Sequence, residues 1–141
     1  MHSPSSWVSR KLLTVALVVY VGGALAVLLV PTIGTAFGSV YSWFFNVVGW
    51  HWMRPSYLDV PANVLLFVPI GFLAVAWFER FWCGFAIAVA LSVGAEFAQI
   101  LLPARDANPR DILSNALGAC LGAVLATVLL RRKTMSTARS E

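Results

Sequence analysis

The chain has 141 residues, 60% of them hydrophobic and only 11% charged, with a mean hydropathy of +0.81. Soluble domains carry about 25% charged residues, so a small water-soluble globule is excluded and one membrane-embedded domain is expected. The net charge of +4 sits in short flanks and forms no basic face, which sets aside nucleic acid and fits the charge that orients membrane spans.

Residues 1–11 are polar and end in Arg10 and Lys11. The run Leu12 to Val30 that follows is long enough to span a bilayer. A basic start and an apolar run also describe a signal peptide. This run exceeds the usual ~7–15 residues, however, and no A-x-A site follows closely, so an uncleaved first helix is expected. Residues 32–58 are crowded with Tyr41, Trp43, Phe44, Phe45, Trp50, Trp52 and Tyr57. Trp and Tyr prefer the headgroup level, so a short interfacial helix near Ser39–Val48 is predicted, then a loop through Trp50–Tyr57. His51 lies among these rings, as a proton carrier or as amphipathic filling.

The second span is predicted over Val60–Phe78. Pro61 falls in its first turn, where a missing N–H costs little. Pro69 falls inside and must free the carbonyl of Leu65. Glu79 and Arg80 form a very short turn to a third span, Phe81–Leu102. A polar connection through Arg110 leads to a fourth, Ile112–Leu130, which ends at Arg131-Arg132-Lys133. The last residues, from Thr134, are expected to be disordered. Cys83 opens the third span and Cys120 lies inside the fourth. Their depths differ, so no disulfide is expected. Neither has metal-ligand spacing to another Cys or His, so no metal and no cofactor is expected.

The expected fold is all-α: an integral membrane bundle of four transmembrane helices with a short interfacial helix between the first two. It comprises an N-terminal tail (1–11), one transmembrane domain (12–130) and a C-terminal tail (131–141). An even number of spans puts both termini on one side. That side holds Arg10, Lys11, Arg80, Arg131, Arg132, Lys133 and Arg139; the other holds Arg54, Arg105 and Arg110. The excess of positive charge assigns both termini to the cytoplasm of a bacterial inner membrane.

Polar residues converge on the opposite side. Asp59 and Asn63 open the second span at i, i+4 spacing; Asp111 and Asn115 open the fourth in the same way. Each pair shares a helix face, and the shared D-x-x-x-N hints at an internal repeat. Glu96 and Gln99 lie near the outer end of the third span, with Ser92 one turn deeper. Glu96 is about 9 Å inside. An acid there needs protein, water or a partner: Arg105 or Arg110 as counter-charge, or a proton of its own. The two aspartates also fit helix N-caps, and the amides fit interhelical glue. Gly118 and Gly122 form G-x-x-x-G, a close-packing seam. The one-sidedness of the polar set favours a pocket open to the outer leaflet, because the inner halves of the same spans carry almost no polar group.

These residues also carry a resemblance. Asn63, Leu66, Phe67, Pro69, Gly71 and Phe72 are followed by Ser92, Glu96 and Gln99, then Arg105, then Asp111, Asn115, Gly118 and Gly122. In order and spacing this set resembles the VanZ-like family, membrane proteins named for a teicoplanin-resistance protein, over residues 59–125. The resemblance implies a small helical membrane domain and, for the namesake, reduced sensitivity to a glycopeptide antibiotic. It implies no agreed reaction.

Two readings of function follow. In the first, a non-enzymatic envelope protein binds a lipid headgroup or a cell-wall-related ligand through Asp59, Asn63, Glu96, Gln99, Arg105, Asp111 and Asn115. Gly71, Gly118 and Gly122 would pack helices. In the second, a membrane-embedded enzyme acts on a lipid or wall intermediate, with Glu96 and Asp111 as acid–base groups. No Ser–His or Cys–His constellation supports the second. A transporter would need a polar path through the apolar inner halves, which only a homo-oligomer could supply between protomers. The expected partners are membrane lipids and a lipid-linked or wall ligand.

Overall fold

The computed structural model describes residues 4–52, 54, 56–101 and 108–138. It contains five helices: α1 (Pro4–Leu29), α2 (Pro31–Asn46), α3 (Ser56–Phe78), α4 (Phe81–Ile100) and α5 (Pro109–Ala138). No strand occurs among the described residues. Four helices contain stretches long and apolar enough to cross a membrane: Arg10–Leu29, Tyr57–Phe78, Phe81–Ile100 and Pro109–Arg132. The all-α bundle of four spans is therefore the observed fold.

Helix boundaries follow local chemistry. Pro31 has no N–H for the carbonyl of Val27, so it ends α1, and its fixed φ suits the first position of α2. Val30 between them is extended (φ −86°, ψ 114°), as a residue before proline prefers. One proline thus closes one helix and opens the next. The interfacial helix consequently starts eight residues before the predicted Ser39 and stops at Asn46. The α3–α4 turn is made by Glu79, whose φ of 57° places a non-glycine residue in the left-handed region. Its N–H still closes onto the Val75 carbonyl at 2.8 Å.

Two predicted tails are largely helical. α1 begins at Pro4, ahead of the apolar run, and α5 continues past Leu130 to Ala138. Neither extension contains an interior Gly or Pro, and leaving the apolar layer does not by itself break a helix. Residues 1–3 and 139–141 lie outside the described set.

The bundle is organised around α3, which packs most extensively on α5 and then on α4. A Cβ on Gly118 would collide with the Val64 carbonyl. One on Gly122 would collide with the Val68 carbonyl and the Phe72 amide, and one on Gly71 with the backbone of Ala119. Gly84 places α4 against Val75 in the same manner. The core around these contacts is mainly alanine: Ala74, Ala88, Ala95, Ala119, Ala123 and Ala126 are buried, with Phe67, Ile70 and Val75 as its large members. Large apolar side chains such as Leu65, Trp82, Leu113 and Leu117 point outward. In hydrocarbon there is no hydrophobic drive between helices, so small residues that allow close backbone approach hold the bundle.

α1 lies at the edge. Ala24 and Leu28 are buried on it, and the Tyr20 hydroxyl donates to the Leu66 carbonyl at 3.2 Å. That carbonyl neighbours the one at Leu65 left without its helical donor by Pro69. At the end holding the chain termini, the Trp77 indole donates to Thr14 at 2.9 Å, and Thr14 donates to the Arg10 carbonyl at 2.9 Å. Trp77, Phe78, Phe81 and Trp82 gather here in edge-to-face contacts. At the other end, Trp50 stacks on Phe44, and Trp52 bridges Trp50 to Tyr57. His51 meets the ring of Phe45 edge-on at 4.8 Å. The bundle therefore carries two aromatic clusters, one at each end, of which the sequence pattern suggested only the second.

Gly122→Ala is expected to destabilise by about 1–3 kcal/mol, because the methyl must push the α3 and α5 backbones apart. Gly94→Ala, which opens onto free space, should be neutral; denaturation in mixed detergent micelles distinguishes the two. At Glu79, Glu79→Gly should cost little, since glycine accepts positive φ and the 3.9 Å pair with Arg10 is exposed on both sides. Glu79→Val should lose about 1 kcal/mol or more in the same assay.

Candidate functional site

Five polar side chains are buried among the described residues: Ser92, Glu96, Gln99, Ser114 and Asn115. All belong to the closing turns of α4 or the opening turns of α5, the end of the bundle opposite the chain termini. The other halves of these helices bury Gly84, Ala88, Ala123 and Ala126 instead. In a bilayer each buried polar group needs a partner, so their bonds define the site.

Glu96 accepts a hydrogen bond from the backbone N–H of Asn108 at 3.0 Å. Asn108 is the N-cap of α5: its Oδ1 accepts from the Arg110 N–H at 3.1 Å, and its carbonyl accepts from the Asp111 N–H at 2.8 Å. Pro109 follows at the first helical position, where its missing N–H is harmless. The Glu96 carboxyl thus stands at the start of α5. The cap is Asn108, so Asp111 sits within the first turn rather than before it. Asp59 likewise lies inside the first turn of α3, which starts at Ser56, and is not its cap.

Gln99 reaches sideways. Its amide donates to the Leu28 carbonyl at 2.9 Å, one of the last carbonyls of α1 and without a donor in its own helix's next turn. Asn115 donates through Nδ2 to the Ser92 hydroxyl at 2.9 Å, joining α5 to α4 in the interior. Asn115 is 1% exposed and Ser92 0%, and the Asn115 Oδ1 oxygen has no hydrogen-bond partner. Ser114 donates back to the Asp111 carbonyl at 3.0 Å.

Asn63 is half-buried on α3, on the face that buries Phe67 one turn on, while Asp59 is exposed and Asp111 half-buried. Arg110 is exposed. Arg105 lies outside the described residues. Ser92, Asn108 and Ser114 join the set of expected site residues. The Asn-Pro pair at 108–109 is a sequence signal for a cap followed by a first helical residue, and it marks the start of α5 better than the hydropathy edge at Ile112. Ser114 gives no comparable signal, because a small hydroxyl hardly alters hydropathy.

No curated protein and no solved structure is significantly similar to the chain. The VanZ/LLP1 family matches residues 17–131, from the body of α1 to the last turns of α5, including every buried polar residue above. With four membrane-spanning helices and that match over most of its length, the chain belongs to the VanZ/LLP1 family.

Proposed function

We propose that this chain is a non-enzymatic protein of the bacterial cytoplasmic membrane, both termini inside, whose polar end faces outward and binds a lipid headgroup or a lipid-linked wall precursor. The observation that carries the reading is the confinement of the buried polar side chains to one end of α4 and α5. Glue between helices would be useful at any depth; a ligand site has to lie where the ligand's polar group lies. The lysine and arginine excess beside the termini supports the orientation. Arg105 and Arg110 supply charge for a phosphate or carboxylate, and a planar guanidinium grips either with two parallel bonds. Through such a ligand the protein would alter sensitivity to a glycopeptide antibiotic.

The competing reading makes Glu96 and Asp111 an acid–base pair. The bond from the Asn108 N–H favours binding, since it engages Glu96 in fixing the start of α5. Glu96 then holds the floor of the site, and the exposed Arg110 is at hand for the ligand.

Native mass spectrometry from gentle detergent tests the reading. Wild type should carry a bound lipid or wall precursor that Arg105→Ala loses and Glu96→Gln retains. The amide oxygen introduced by Glu96→Gln can still accept the Asn108 N–H, so this variant removes charge and spares the helix start. Arg105→Lys should recover little binding, because an ammonium lacks the fork geometry. If wild type carries no lipid that Arg105→Ala loses, the site is structural. Deleting the gene should shift teicoplanin susceptibility and re-expression should restore it; an unchanged susceptibility removes the antibiotic role.

A further inference from the structure

The bond between Asn115 and Ser92 leaves a specific chemical demand. Asn115 gives its Nδ2 hydrogen to Ser92 Oγ, and its own Oδ1 has no donor. Ser92 accepts that bond, so its hydroxyl proton remains to be donated. The two side chains are 1% and 0% exposed, and a buried polar atom left alone is costly enough to be rare. The pair therefore presents an acceptor and a donor side by side, locked together by the Nδ2–Oγ contact.

A phosphate or carboxylate oxygen only accepts, and would face Asn115 Oδ1 with nothing to give. An ammonium only donates, and would leave Ser92 unanswered. A hydroxyl does both from one oxygen. Asn115 lies six residues into α5, about 9 Å along its axis from Pro109. Glu96, one turn along the same face of α4 from Ser92, brings a carboxyl and no cation to this end of the helix.

Resting on the reading that this end binds a lipid headgroup, we infer that the Ser92–Asn115 pair receives a hydroxyl of that headgroup, so that the ligand is a lipid-borne alcohol or polyol and not a bare phosphate. An ordered water has the same donor–acceptor chemistry and is the alternative source.

Two lipids separate the sources: phosphatidylglycerol, and phosphatidylmethanol with the same acyl chains, the same charge and no hydroxyl. Each is titrated into delipidated full-length protein, and bound lipid is read by native mass spectrometry. Wild type should retain phosphatidylglycerol about tenfold better, as two modest hydrogen bonds would give. Ser92→Ala and Asn115→Leu should each reduce that preference while keeping charge-dependent binding. Should Asn115→Leu fail to fold, the two lipids on wild type and on Ser92→Ala still decide. Equal retention of both lipids by wild type assigns the pair to water and overturns the inference, leaving the headgroup reading intact. Retention of neither overturns that reading, and the inference with it.

Discussion

The contact on which the rest depends is backbone against backbone between α3 and α5. Gly118 and Gly122 on one side, and Gly71 on the other, remove the side chains that would otherwise hold these helices apart. At that distance alanines fill the core, and dispersion between close surfaces replaces the hydrophobic effect that hydrocarbon solvent cancels. The position of Asn115 is a consequence. It lies on the same helix face as Gly118 and Gly122, a turn beyond them, so the seam that draws α5 onto α3 also fixes the depth at which the amide meets Ser92.

Polar chemistry is then added at one end only. Glu96 at the start of α5 and Asn115 on Ser92 both tie α4 to α5, and Gln99 on the last turn of α1 ties α4 to α1. The same bonds that hold the bundle's mouth also set out its remaining capacity for a ligand, because every donor and acceptor used internally is withdrawn from the site. Stability and specificity are here written in one set of side chains.

Much of this was legible from the residues alone, and for a definite reason. A bilayer admits no unsatisfied backbone, so each crossing shows as an apolar run, and all four runs correspond to observed helices. The ends were harder. Pro31 ends one helix and begins another, which a hydropathy edge does not reveal, and the apolar layer stops several residues before α1 and α5 do. Within the site, the amides and acids stood out as costly residues in an apolar segment. Their pairings did not, because Glu96 with Asn108 and Gln99 with Leu28 depend on how helices meet in space. A charge at Glu96 suggested an arginine as partner; Glu96 also takes a main-chain N–H, which is invisible in any side-chain pattern.

The seam joins two helices that are not neighbours in the chain. α3 leaves the ribosome first, and its partner surface arrives only after the whole of α4 has followed. In the interval Asn63, the turn loosened by Pro69 and the bare backbone beside Gly71 have no α5 to cover them. α4 emerges next, with Ser92 and Glu96 ahead of the Asn115 and Asn108 that they will meet. The order of synthesis therefore puts the polar helices α3 and α4 into the membrane before the helix that completes their packing, and the seam cannot close until α5 has been made.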